Sequence, residues 1–418
     1  MRVRRVLLLA LAAAASAADA AEDAAPLLSA VTGSPALESA RRRIDAAQAR
    51  VGAAGRLADP ELEAMGSRAN RPGTVDDRSM WELSVRQPLP RRGERAADRE
   101  RATAVVSMAE AELAMVAGDT AADAAMALAE AEGARARVAL LETQRSRLGT
   151  ALASLDARLA AGATVKLADR LTLRSRIAAL ELTIEETRRN AADAEAAARM
   201  HLALASEAPL PPFAAPEIST IRAEGSPAVA LAEARATEAS ATGRMARVGA
   251  NPMTAVGLRF EREGGGSSAQ DTIGLAVSSE IPWRSRAYAR AGSRAAEAER
   301  AAAQADAETA RRRVTNATGR AARAEQLANA ARRLADDTRR RLEAEHEILS
   351  GTVSVGSAGS MGGDSAVLHA VDILERTAET QLRIVEAETA ARTARAELWR
   401  HVAAGKLLDS ATRPGSPP

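Results

Sequence analysis

Leucines recur along one stretch of the chain at Leu141, Leu148, Leu152, Leu155 and Leu159, in steps of seven, four, three and four. Leu173, Ile177, Leu180 and Ile184 repeat the four-and-three spacing. This is the period of helices that pack along a shared seam. Both runs lie within long proline-free stretches, 93–160 and 165–205, and two more such stretches follow at 284–349 and 365–404. At 1.5 Å per residue the longest would reach on the order of 100 Å. No globular domain is that deep, so these helices are expected to pack side by side as a rod. Between the leucines the seam is mostly alanine. Small knobs let helices approach closely but bury little area, roughly 0.8 kcal/mol per methylene. Isolated pairs should therefore be weak, and many helices in one bundle are expected.

Two shorter segments switch to a period of two. The first, 59–87, opens at Asp59-Pro60 and passes through Leu62 to Ala69. A polar link at 70–77 follows, then Ser79 to Gln87, closed by Pro88-Leu89-Pro90. Trp81, Leu83 and Val85 share one face against Glu82, Ser84 and Arg86. The second segment, 251–281, opens at Asn251-Pro252. Val256, Leu258 and Phe260 oppose Arg259 and Glu261, and Ile273, Leu275 and Val277 oppose Gly274, Ala276 and Ser278. Its link is read at Gly264 to Ser268 and its close at Ile281-Pro282-Trp283. Each hairpin is preceded by a shorter helix, at 37–57 and 227–249, and followed by two long ones. The chain thus reads as one unit repeated, 21–208 and 226–405, joined by a proline-rich linker at 209–225 and ending in a disordered tail at 406–418. Strands of about ten residues have the length of tilted membrane strands. A soluble two-faced sheet has the same alternation. Four strands alone leave two open edges, which several copies sharing one closed barrel would remove.

The first residues, Met1-Arg2-Val3-Arg4-Arg5, precede a short apolar run and the small-residue sites Ala15-Ser16-Ala17 and Ala18-Asp19-Ala20. This pattern predicts a secretory signal peptide over 1–20. The run is shorter than the roughly 20 residues needed to span a bilayer. The chain has no cysteine, which excludes disulfides, thiolate metal sites and an acylated cysteine. Aromatics make up 1% and charged residues 27% of 418 residues, a composition of long helices rather than of large globular cores. A net charge of +2, spread over mixed-sign faces, argues against nucleic acid as a partner.

Several segments together resemble the TolC-like outer-membrane factors. Asp59-Pro60-Glu61-Leu62-Glu63-Ala64 is similar to that family's opening of its first strand. Gln87-Pro88-Leu89-Pro90-Arg91-Arg92-Gly93-Glu94-Arg95 resembles its passage from strand to long helix. Arg158 and Gly162, with Asp169 beyond, resemble its periplasmic hairpin turn, and Arg395-Ala396-Glu397-Leu398 its closing helix. The resemblance implies a mainly α fold with a small β part: a coiled-coil helical barrel plus four membrane strands per protomer, shared in a homotrimer. It implies an outer-membrane location with a large periplasmic part, outer-membrane lipid around the strands, a periplasmic adaptor, and an inner-membrane pump of the resistance-nodulation-division type. The Asp-Pro-Glu-Leu opening looks most like the heavy-metal efflux branch. At the turn, Arg158, Gly162, Thr164 and Asp169 are the residues expected to dock the adaptor and close the resting pore. Two departures stand out. Leu159 replaces a frequent aromatic, and a Gly/Ser-rich stretch from Gly351 to Asp364 replaces the second turn.

Chemistry of other kinds has no foothold in the sequence. His201, His346, His369 and His401 stand apart, without metal-ligand or triad spacing. Gly264-Gly265-Gly266 is followed by no Lys-Ser/Thr, so it is not a phosphate loop. No catalytic residue, metal or cofactor is expected. The functional residues are then interfacial: Leu62, Trp81, Leu83, Val85, Val256, Leu258, Phe260, Ile273, Leu275 and Val277 on the strands, with Trp283 beside them. Arg91, Arg92, Arg95, Arg284 and Arg286 either meet membrane phosphates or solvate a helix start. The expected function is passive export of small molecules or metal ions through an efflux channel. A periplasmic coiled-coil scaffold or adaptor without a barrel, and a channel for type I protein secretion, are the alternatives.

Overall fold

In a computed structural model of the chain, residues 24–69, 78–161, 167–265, 268–281, 283–355 and 363–402 are described. The elements run α1 (24–32), α2 (Pro35–Ala53), β1 (Glu61–Ala69), β2 (Arg78–Leu89), α3 (Glu94–Ala160) and α4 (Leu167–His201), then α5 (Pro227–Val248), β3 (Thr254–Gly265), β4 (Ser268–Ser279), α6 (Ser285–Val355) and α7 (Gly363–Ala396). Three 3₁₀ turns accompany them, at Ile218–Thr220, Ala223–Gly225 and Glu397–His401. Two compact units result: Met1–Glu38 with Ala114–Pro227 and Ala310–Pro418, and Ser39–Leu113 with Ala228–Thr309.

The first unit is helical, and its core follows the heptads. Leu148, Leu155, Leu173 and Val371 form a fully buried cluster, flanked by Ala151, Leu152, Ile177 and Leu180. Leu159, the last leucine of the series, is exposed, because the seam ends with the helix one residue later. Elsewhere the seam is alanine: Ala114, Ala117, Ala121 and Ala124 on α3, and Ala310, Val314, Ala317 and Ala321 on α6, all buried. Close approach is the gain from such small knobs. At Gly118 a Cβ would stand 2.9 Å from the Trp399 carbonyl oxygen. Trp399 is itself buried, and its indole Nε1–H donates 3.0 Å to the carbonyl of Ala214, pinning the linker to the final 3₁₀ turn. Ala317, Ala321 and Leu398 pack together there against Ile218 and Ile221. Ser34 precedes Pro35 at the start of α2 and accepts a 3.4 Å hydrogen bond from the Leu37 N–H, as an N-cap does.

The second unit holds the sheet. Its four strands are antiparallel in the order β1-β2-β3-β4. Alanines again space the helices, at Ala97 and Ala104 on α3 and at Ala289, Ala296 and Ala303 on α6. Chain reversal at the end of α2 uses Gly55 at φ +68, whose N–H donates 2.7 Å to Asp98. A side chain is excluded at Gly55 both by this backbone conformation and by the Arg95 carbonyl, 2.9 Å from the position of a Cβ.

Several expected boundaries move. β3 continues through Gly264 and Gly265, and β4 begins at Ser268, so the expected link is largely strand. Ladder pairing uses only backbone groups and does not need side chains. α6 runs to Val355, past Leu349 and through Gly351, since one glycine costs a helix only about 1 kcal/mol relative to alanine. Residues 356–362 of the Gly/Ser-rich stretch lie outside the described residues. α7 ends at Ala396 instead of continuing to 404, where Glu397–His401 tightens to 3₁₀ around buried Leu398 and Trp399. Residues 24–32 form a further helix, α1, ahead of the one expected at 37–57.

Candidate functional site

The register places the expected interfacial residues in continuous rows. Leu62 lies opposite Val85, Val85 opposite Leu258, and Leu258 opposite Leu275. One step along, Ala64, Leu83, Phe260 and Ile273 form the next row, and Gln87, Val256 and Val277 share the row on the other side. All ten of these large apolar residues, including Trp81, are exposed, from 36% at Val256 to 77% at Ile273 and Leu275. None turns inward against the helices. Trp81 lies across Gly66, where a Cβ would come within 3.2 Å of its ring. Arg262 and Asp271 pair at 3.6 Å at the end of the face far from the helices.

The opposite face is charged and internally paired. Arg86 reaches Glu63 at 3.0 Å, and Arg259 reaches Glu82 at 2.9 Å and Glu261 at 3.2 Å. The sheet therefore has one apolar face, one ionic face and two outer strands, β1 and β4, each paired on one side. An open edge presents unpaired backbone N–H and C=O groups.

Where the strands meet the helices, the arginines divide. Arg91 is turned inward: its Nε donates 2.9 Å to the Asn251 carbonyl and its guanidinium pairs with Glu280 at 2.7 Å. Arg95 donates 2.6 Å to the Gly55 carbonyl. Arg91 thus ties the start of β3 to the end of β4, while Arg95, itself exposed, braces the turn after α2. Arg92, Arg284 and Arg286 are exposed, as are Ile281 and Trp283. Arg247, Arg290 and Arg294 join Arg286 around a groove, a grouping the sequence did not reveal because it draws on two elements.

At the expected docking turn, Arg158 is exposed in the last turn of α3 and Asp169 half-buried in the first turn of α4. Gly162 and Thr164 lie outside the described residues. The contact seen there is an ion pair the sequence reading did not name, Arg170 to Asp156 at 2.6 Å.

Among the described residues, no group of three or more His, Cys, Asp or Glu side chains is placed to hold a metal ion. His346 and His369 have no described side chains, and His201 and His401 are half-buried on separate elements. Burial pushes the His401 pKa below its ordinary value, with Arg400 and Arg320 adding to the shift and Glu397 opposing it. Burial raises the carboxyl of Asp119, Asp123 adds to this, and Arg400 counteracts. No helix among the described residues is long and apolar enough to cross a membrane.

The chain matches no protein-family model and no curated protein. It is similar in fold to several solved structures. The outer-membrane channel OprN superposes with a TM-score of 0.67 at 19% identity, over 92% of this chain and 91% of that one. The outer membrane protein VceC from Vibrio cholerae gives 0.68 at 17% identity, over 89% and 94%. CusC, whose structures concern folding and transmembrane channel formation, gives 0.64 at 16% identity, over 91% of each chain. The chain therefore has the fold of the TolC-like outer-membrane channels.

Proposed function

We propose that this chain is the outer-membrane channel subunit of a tripartite efflux pump, a passive conduit for small molecules or metal ions. The observation that carries this reading is the outward apolar face of a sheet with two open edges. Leaving ten large apolar side chains partly in water forgoes a share of the roughly 1.5–3 kcal/mol that full burial of each would give. Exposed contiguous patches of this kind mark interfaces with membranes or partners. A scaffold that stays in the periplasm leaves the face uncovered, whereas lipid covers it. Lipid in turn demands that every backbone group be paired, which requires a closed barrel. Three copies, joining β4 of one to β1 of the next, close the sheet and turn the ionic face toward water.

The element order supports reading the chain as a duplication, α2-β1-β2-α3-α4 followed by α5-β3-β4-α6-α7. On this reading the strands lie in outer-membrane lipid and the helices reach into the periplasm. A periplasmic adaptor and an inner-membrane pump of the resistance-nodulation-division type supply the opening force and the energy. Arg158, Gly162, Thr164 and Asp169 dock the adaptor at the turn between α3 and α4.

Fractionation followed by gel electrophoresis, with and without heating, tests the channel. The expected result is recovery with outer membranes as a heat-dissociable trimer. Recovery as a soluble periplasmic monomer would sink it. The docking role is tested separately. Gly162→Trp should abolish export while the trimer persists in the membrane, and unchanged export by that variant removes the claim.

A further inference from the structure

The first turns of α6 concentrate positive charge that the surrounding fold does not neutralise. Arg286, Arg290 and Arg294 repeat every four residues along one face of the helix. Arg247, in the last turn of α5, faces them across a groove of about 430 Å³. Glu297 is the one carboxylate among the residues that line it. Among the described residues, none of the four guanidiniums is hydrogen-bonded or ion-paired.

This arrangement repels itself. Like charges four apart on a helix destabilise it, and cations near an N-terminus oppose the helix dipole. α6 has no acidic residue in its first turn to offset them. The other strand-to-helix junction is built the opposite way. α3 opens on Glu94, and Arg91 and Arg95 beside it are matched to Glu280 and the Gly55 carbonyl. Nearby arginines on helix flanks are matched too, Arg101 with Glu238 and Arg244 with Glu100. Uncompensated guanidiniums gathered on one groove are what an external anion completes.

We propose that this groove binds a phosphate-bearing anion through Arg247, Arg286, Arg290 and Arg294. A guanidinium presents a planar fork that pairs two phosphate oxygens at once, which a lysine cannot do. Ile281 and Trp283, 72% and 85% exposed, lie between the end of β4 and this groove in the chain. The phosphate is accordingly either a membrane-lipid headgroup or a free oxyanion.

The full chain in detergent separates these sources by calorimetry with two probes. One is inorganic pyrophosphate; the other is phosphatidylglycerol in mixed micelles, with phosphatidylcholine micelles as reference. Binding of at least one probe is expected, weakened about tenfold in R290Q/R294Q and partly restored in R290K/R294K. Both side chains are exposed, and far-UV circular dichroism verifies that the variants remain helical. Preference for phosphatidylglycerol that pyrophosphate does not displace assigns the headgroup; pyrophosphate binding without lipid assigns the free oxyanion. Absence of binding, or equal affinity in wild type and R290Q/R294Q, overturns the site. So does a double variant that loses its oligomer while neither probe binds, because carboxylates of a second copy then fill the groove. The pyrophosphate arm does not depend on the channel reading and decides the site even for a protein that never enters a membrane.

Discussion

Gly118 sits in α3 where a side chain has no room. A Cβ there would come within 2.9 Å of the Trp399 carbonyl oxygen and 3.2 Å of the Arg400 Cα, both backbone atoms. Gly118→Ala should therefore destabilise the protein by about 1–3 kcal/mol, the usual range for overpacking, as read from urea unfolding. A variant as stable as wild type would show that the final turn can move away at no cost. His401 lies in that turn, with its Nδ1 buried and unpaired in the structure. Its folded pKa is lowered, so the unfolded chain binds the proton more readily. The contribution of His401 is thus intact above the ordinary histidine pKa and declines as pH falls through that value toward the folded one. Asp119, raised by burial, works in the opposite sense over a more acidic range: it stabilises when protonated and loses this as pH rises through its folded pKa. His401→Gln should flatten the decline in melting temperature between about pH 7 and pH 6, since the histidine titration begins near 6.5. An unaltered slope would mean that this imidazole is solvated in the native state.

Two kinds of element were legible in the sequence for different reasons. The leucine heptads specified the seam well, because Leu141, Leu148 and Leu155 recur every seven residues and each is nearly fully buried. Leu148→Ala should cost about 2–5 kcal/mol by transfer and cavity terms, measured by chemical denaturation. Loss of less than about 1 kcal/mol would indicate that the cluster with Leu155, Leu173 and Val371 collapses into the space. The strands were legible because alternation fixes which side chains share a face, and one slipped residue would invert both faces. Boundaries were less legible. Gly264 and Gly265 read as a loop by composition yet pair with Ala269 and Ser268, since the ladder asks only for backbone groups. Least legible were contacts between distant parts of the chain. Nothing local announces that Trp399 reaches Ala214, 185 residues away, or that Arg91 joins Asn251 and Glu280. On the apolar face, Leu275→Arg tests the element as a whole. On the proposed channel function, a charge at mid-strand in lipid costs about 2–4 kcal/mol, and the membrane-assembled trimer that function calls for should fall sharply. Undiminished trimer would place that face in water.

At the scale of the assembled molecule, the proposed channel function gives the ionic face of the sheet a role in deciding which ions pass. In a closed trimeric barrel the apolar face meets lipid, so the other lines the passage. Its described side chains include Glu61, Glu63, Glu82, Glu261 and Glu263 against Arg86 and Arg259. Arg86 pairs with Glu63 and lies 3.9 Å from Glu61, and Arg259 pairs with Glu82 and Glu261, so by formal charge the described part of this face carries five carboxylates against two guanidiniums. Rings of one sign of charge in a water-filled pore raise the local concentration of the opposite ion. The barrel section should therefore favour cations, with a positive shift in cation-over-anion permeability read from reversal potentials under a salt gradient in planar bilayers. Glu61→Lys combined with Glu263→Lys should reduce or reverse that preference while leaving the apolar rows, and hence insertion, unchanged. The effect should fade at high ionic strength, where the Debye length drops to about 3 Å at 1 M salt. An anion preference in the wild-type channel at low salt would assign the selectivity to another constriction.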